Sequence, residues 1–174
     1  MAADELLALY DPGDDTGRVT GAAPRWQVRA ENLPHAATAV IVRRADGAVY
    51  VHRRTDTKDV YPGMHDAFAG GCVDAGEDPE DATRRELAEE LGITGVELVP
   101  RFRRWYRDEH THYLAFGYEV TWDGPVVHQP EEVADGGWMP WQELLDRLAD
   151  PMWPFVPDGR AGIAAYLDAL AGQQ

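Results

Sequence analysis

The sequence predicts an α/β fold of the α+β type, with one mixed β-sheet and helices packed on both of its faces. Three observations carry this reading. Apolar, β-branched runs of strand length recur before residue 55 and again between residues 96 and 139. A helix marked at both ends interrupts them at residues 79–91. Helical spacing of apolar residues returns from residue 141 onward. Strands, a helix, strands again and then helices make a sheet that needs cover on two sides.

Residues 1–34 are mixed and read as an N-terminal flap with a short strand or two, with turn chemistry at Asp11-Pro-Gly-Asp-Asp and Gly21-Ala-Ala-Pro24. Ala37–Arg43 is a strand by its apolar, β-branched run. Asp46-Gly47 supplies the positive φ of a tight hairpin turn, and Ala48–Arg54 is the return strand. Residues 55–67 read as a loop turning at Pro62-Gly63. Asp78 can cap free helical amides and Pro79 suits the first helical position. Gly92 is placed as a left-handed terminator after Leu91. Val96–Trp105 and Thr111–Trp122 read as two long strands with a turn near Asp108-Glu-His110, and Val133–Met139 as a shorter one. Trp141–Ala149 and Gly159–Leu170 are the last two helices. No internal repeat or low-complexity tract breaks the chain. Its 174 residues fit one domain, with a core over 35–150 and a C-terminal segment over 151–174.

The formal charge is −15, which leaves no electrostatic footprint for nucleic acid or an anionic membrane. It also repels a phosphorylated small molecule, so such a substrate needs local help from arginines, lysines or a divalent metal. The apolar runs fall far short of the roughly 20 residues that a bilayer span needs. The start of the chain, Met1-Ala-Ala-Asp-Glu, is acidic where a secretory signal is basic. The single cysteine, Cys72, excludes an intramolecular disulfide, so a reducing, cytoplasmic setting is expected.

The acids that end the helix at 79–91 are a special case. Glu86, Glu89 and Glu90 stand three and four residues apart, so their carboxylates share a sector roughly 100° wide. Leu87 and Leu91 lie on the adjacent face and can enter the core. Like charges this close raise each other's pKa and call for a cation. Oxygen-only ligands suit a hard ion such as Mg²⁺ or Mn²⁺, and no Cys/His spacing suggests zinc. Because Mg²⁺ uses few carboxylates together with substrate phosphates, the implied substrate is a small-molecule diphosphate. The plain alternative, a solvated acidic helix face, is outweighed by the surroundings. Gly70-Gly71 lets backbone approach an ion closely, Glu77 stands in the preceding loop, and Arg85 can brace a carboxylate.

The stretch from Gly71 to Ile93 holds Gly71, five residues, Glu77, seven residues, Arg85-Glu86-Leu87, one residue, Glu89-Glu90, one residue and Gly92-Ile93. At about 1 in 15 per residue type, its seven identities would coincide by accident about once in 10^8 starts. On these residues the chain resembles the Nudix hydrolases. The resemblance implies an α/β/α sandwich with a mixed β-sheet. It also implies hydrolysis of a pyrophosphate bond in a nucleoside diphosphate linked to another moiety X, with Mg²⁺ or Mn²⁺ as cofactor. Position by position, it makes Glu86, Glu89 and Glu90 the metal-binding glutamates and the Gly70 carbonyl an extra ligand. Arg85 and Glu77 become the salt-bridged pair that shapes the loop. Many Nudix proteins pair, so a homodimer is expected.

A second resemblance reaches further. Val51-His-Arg-Arg-Thr-Asp-Thr-Lys58-Asp-Val-Tyr-Pro-Gly63-Met-His-Asp66 is similar to the Nudix branch related to isopentenyl-diphosphate isomerase, as are Glu31-Asn-Leu-Pro-His35-Ala-Ala-Thr and Trp153-Pro-Phe-Val-Pro-Asp158. This raises isomerisation as an alternative function; a catalytically inactive nucleotide-binding module is another. The isomerases carry a catalytic cysteine just before the first glycine of the signature and a metal-binding histidine just after it. Here those positions hold Gly70 and Cys72, and glycine cannot deliver a proton. Hydrolysis is therefore the favoured reading.

Further candidates lie outside the signature. Arg54 and Lys58 can grip a phosphate or pair with nearby aspartates. His35 is read as a hydrogen-bonded structural histidine. Of Glu131 and Glu132, which precede a strand where many Nudix hydrolases place another ligand or base, Glu132 is favoured. Arg101, Arg103, Arg104 and Arg107 form the basic cluster, with Arg101 and Arg103 on one strand face. Trp105, Tyr106, Tyr113, Phe116, Trp153 and Phe155 are read as core or lid, one of them a possible base-stacking partner.

Overall fold

A computed structural model of the chain describes residues 5–173. All but the last residue of the acidic start read above lies outside the described residues. The centre of the sheet is β3 (His35–Arg43), whose alternation sends side chains to two different cores. Ala36, Val40 and Val42 point to one core, shared with Ala82, Leu87 and Leu91 of α2 (Pro79–Leu91). Ala39 and Ile41 point to the other, shared with Leu144 of α3 (Trp141–Leu148) and with Ile163 and Tyr166 of α4 (Pro157–Ala171). Helices thus cover both faces of a nine-stranded mixed sheet, as the sequence predicts.

Around β3 the pairing is largely non-local. β8 (His112–Thr121) runs parallel to it from His35↔Tyr113 to Arg43↔Thr121, and β7 (Val99–Arg107) pairs antiparallel with β8. β4 (Val49–Arg54) joins β3 through the Asp46-Gly47 turn, where Gly47 has φ 90° and the Asp46 carboxylate accepts from the Ala48 amide. β9 (Val133–Met139) pairs antiparallel with β4. Asp108 closes the β7–β8 turn by accepting from the amides of His110 and Thr111.

Several expectations are corrected. Gly21-Ala-Ala-Pro24 is no turn. It belongs to β2 (Val19–Pro24), because its residues pair across to β1 (Leu6–Tyr10) from Leu6↔Pro24 to Leu9↔Gly21. β1 is integral to the sheet rather than a flap, with Leu7 fully buried and Leu9 opposite His35. Helix α1 (Arg25–Glu31) follows directly. It buries only Val28, so it has too little apolar periodicity to be seen in the sequence. Residues 55–67 are not wholly loop, since β5 (His65–Asp66) pairs with β4 and β6 (Phe68–Ala69) follows, pairing with β3. Arg101 forms the bulge of β7, which breaks the two-residue period that placed Arg101 and Arg103 on one face.

Two buried histidines make the fold acid-sensitive. Burial pulls His35 down to about 4 and His52 to about 3, against about 6.5 in an unfolded chain. A group whose folded pKa is depressed stabilises the fold fully above its unfolded value. That stability is lost as pH falls from about 6.5 toward those values, by about 1.4 kcal/mol per pH unit for each group. H52Q is expected to flatten the pH dependence of unfolding free energy between pH 6 and 4 by about one proton, measured by urea titrations at stepped pH. An unchanged slope would refute it.

Candidate active site

The site is assembled where α2 meets the Gly70–Gly71 segment. Asp78 accepts from the Glu80 amide at 2.8 Å, Pro79 occupies the first turn, and Gly92 ends the helix at φ 67°. These caps set the phase of the helix. Leu87 and Leu91 go inward and Glu90 goes with them, only 5% exposed. Thr38 of β3 holds the glycines from the other side. Its amide donates to the Gly71 carbonyl at 2.8 Å, and its hydroxyl accepts from the Gly71 amide at 3.3 Å. A Cβ on Gly70 would collide with the Thr38 carbonyl, and one on Gly71 would stand 2.6 Å from the Glu86 carboxyl carbon. Gly70, at φ 150° and against backbone, demands glycine, whereas a side chain at Gly71 would displace the Glu86 carboxylate.

Glu86 and Glu90 are brought together against these glycines. The Glu90 carboxylate accepts from the Gly70 amide at 3.1 Å. Burial pushes its pKa up to about 7, with the Glu86 charge adding to the rise and Lys58 opposing it. Burial also raises Glu86, against the lowering effect of Arg85. Glu89 is half exposed, with its carboxylate 3.7 Å from Arg85. Glu86 and Glu89 share one guanidinium nitrogen of Arg85, and Glu90 lies deepest of the three. Among the described residues, no three His, Cys, Asp or Glu side chains form a ready-made metal cage. The donor chemistry nevertheless fits a hard divalent ion: Glu86 and Glu90 offer only oxygen donors beside one glycine segment, and among the described residues no ion pair satisfies Glu90.

Arg85 is the brace. It donates from Nε and Nη2 to the two oxygens of Glu77, both at 2.9 Å, and reaches the Cys72 carbonyl at 3.3 Å and Glu86 at 2.6 Å. Glu77 also accepts from the Asp74 amide at 3.1 Å. One guanidinium thus ties the 72–77 loop to the helix and to a buried acid. Its donation holds Glu77 below the usual carboxylate range.

A cleft of about 990 Å³, counted out to where it opens to solvent, runs past Gly70, Gly71 and Cys72. The glutamates do not themselves line it; they touch the two glycines that do. Lys58 lines it and pairs with Glu132, which arrives on a loop docked to the end of α2 through Gln129 and Val127. Arg54 lines it too, and its guanidinium donates to the Val60 carbonyl at 2.8 and 3.2 Å rather than taking up the aspartate alternative. Glu131 contributes only its carbonyl, accepting from Thr55. His35 is buried and hydrogen-bonded to the Leu33 carbonyl, the structural role read from the sequence. The basic cluster disperses: Arg101 pairs with Glu119, Arg103 donates to the Thr16 carbonyl, and Arg104 faces the cleft. Trp105, Tyr106 and Tyr113 line the cleft, whereas Phe116 and Phe155 are core.

Sequence reasoning missed four cleft residues. Arg25 and Arg29 sit on α1, four apart on one helix face, a spacing that carries a signal only once the helix is known. Asp66 and Asp158 meet at the N-terminus of α4, where Asp158 accepts from Tyr113 at 2.8 Å. Burial, with Asp158 adding to it, pushes Asp66 up to about 8. No local pattern in the sequence joins positions so far apart.

The NUDIX domain pattern matches residues 33–159. The chain belongs to the Nudix hydrolase family. Members of this family hydrolyse diphosphate bonds. The chain is 46% identical over 175 residues to an uncharacterized Nudix hydrolase of Rhodococcus erythropolis, covering 94% of this chain and 92% of that one. It is 44% identical over 166 residues to another from Streptomyces coelicolor, covering 94% and 88%. In fold it is similar to the crystal structure of DR0079 from Deinococcus radiodurans, with a TM-score of 0.74 at 23% identity, covering 92% of this chain and 97% of that one. Among the described residues of this Nudix hydrolase, no helix is long and apolar enough to cross a membrane.

The Arg85–Glu77 brace yields a stability prediction. E77Q and R85K are each expected to cost about 1–3 kcal/mol, because each breaks a bidentate charged pair. The double variant should cost clearly less than the sum. Urea unfolding of the three variants checks this, and strict additivity would refute the coupling.

Proposed function

We propose that this Nudix hydrolase is a divalent-metal-dependent pyrophosphohydrolase acting on a nucleoside diphosphate linked to a second moiety X. The observation that carries the reading is the pair of buried Glu90 and largely covered Glu86, held against Gly70–Gly71 at the edge of a cleft that contains Lys58 and Arg54. In an otherwise acidic protein these cations are placed to offset substrate charge. A bound Mg²⁺ or Mn²⁺ would be held by Glu86, Glu89, Glu90 and the Gly70 carbonyl, and would supply Lewis-acid neutralisation of the phosphoryl oxygens.

The chain's own groups have distinct tasks in this reading. Arg85 and Glu77 hold the loop so that Gly70 and Gly71 stay in place. Lys58, tethered by Glu132, offers a point charge to a phosphate. Water attacks one phosphorus, the bond from that phosphorus to the bridging oxygen breaks, and the proton lost by water passes to a carboxylate of the glutamate pair. Glu90, buried beside the Gly70 amide, is one such carboxylate. The products are two phosphorylated fragments.

E90Q keeps the shape and removes the charge. It is expected to lower kcat at least about 100-fold with the fold retained, since general-base and ligand roles are each worth that much. The assay is product release from a nucleotide panel with Mg²⁺ or Mn²⁺ in ¹⁸O water, read by mass, which also identifies the attacked phosphorus. Full activity in E90Q, or no product across the panel from the parent protein, overturns the proposal.

A further inference from the structure

We propose that Arg25 and Arg29, on the short helix ahead of the matched family segment, form a binding site for a second phosphoryl group of the substrate, a site that the Asp59 carboxylate occupies in its absence. This rests on the hydrolase reading for the identity of the substrate. The geometry is that of an anion site. Arg29 Nε and Arg25 Nη2 converge on one oxygen, Asp59 Oδ2, at 3.1 and 3.4 Å. Both arginine side chains are about four-fifths covered, at 21% and 23% exposure, while Asp59 is 44% exposed. Two guanidiniums therefore face the cleft and share one accessible carboxylate, Asp59, with Glu5 at 3.4 Å from Arg25 alone.

Their remaining donors are underused. Arg29 reaches Thr111 Oγ1 only at 3.4 Å and the Cys72 sulfur at 3.7 Å, and Arg25 reaches Glu5 at 3.4 Å. These contacts are long, and thiol and hydroxyl are weak partners for a guanidinium. A phosphoryl group offers more charge and several oxygens to the same two forks. The competing Asp59 contact is a partly exposed ion pair, worth about 0–1 kcal/mol, and is displaceable.

The site also lies in the right place. Arg29 touches Cys72, which follows Gly71, and Gly71 stands against the Glu86 carboxylate. The arginines and the glutamate pair therefore flank the same three residues, Gly70 to Cys72. A diphosphate at the cleft edge has one phosphorus at the glutamates and the other at the arginines. In a chain of charge −15 this supplies the local attraction that a second phosphate requires.

The test is calorimetric titration of inorganic diphosphate into the full chain in EDTA, where neither metal nor turnover contributes. The parent protein is expected to bind. R25Q and R29Q should each weaken the Kd about tenfold or more, the scale of a lost charge-assisted contact. D59N should tighten it severalfold by removing the competitor. That sign separates binding from scaffolding, because a merely structural Asp59 latch, once cut, would weaken the site. Should R25Q fail to fold, R29Q and D59N decide. No binding by the parent protein, an unchanged Kd in R29Q, or a weaker one in D59N overturns the proposal. Each can occur while the Glu90-dependent hydrolysis stands.

Discussion

The site depends on one steric constraint: two successive glycines wedged between a strand and a helix. Gly70 presses on the Thr38 backbone and Gly71 on the Glu86 carboxylate. A side chain at Gly70 would run into the Thr38 backbone of β3, and one at Gly71 would displace the Glu86 carboxylate from its place beside Arg85. The approach to the strand and the place of the acid are therefore set by the same two residues. Arg85 secures it from the far side by anchoring the loop that delivers the glycines.

Electrostatics then divides the molecule. Most of the acids are ordinary solvating surface charge. Glu86 and Glu90 are not, since burial raises both and their proximity makes matters worse. Such a pair costs folding free energy unless a cation relieves it. Lys58 and Arg54 supply part of that relief from across the cleft, and Arg25 and Arg29 extend the positive lining along α1. The acidic exterior and the cationic cleft together favour a substrate that is drawn to one place rather than to the whole surface.

Legibility in the sequence followed the range of the interactions. The helix at 79–91 was readable to the residue because its caps are local: Asp78, Pro79 and Gly92 act within a few positions of themselves. The Asp46-Gly47 hairpin was equally plain. β2 was mistaken for a turn because Gly21 and Pro24 are turn-like until β1 pairs with them, and α1 was invisible with one buried residue in seven. The bulge at Arg101 undid an inference from strand alternation that was sound for a regular strand. Arg54, read for a phosphate or an aspartate, also holds a carbonyl, because the 55–64 loop folds back on its own strand.

By itself the sequence determined the helix, its phase and the family, because each rests on residues closely spaced along one segment, and the family resemblance in turn implied the Arg85–Glu77 pairing. Only the tertiary structure decided that Glu89 stays half exposed while Glu90 is buried and Glu86 largely covered. It alone brought Lys58 to Glu132, Asp66 to Asp158, and two N-terminal arginines to Asp59. Those meetings come from the parallel pairing of β3 with β8 and from the packing of helices on two faces. They join positions tens of residues apart, whose proximity no local pattern encodes.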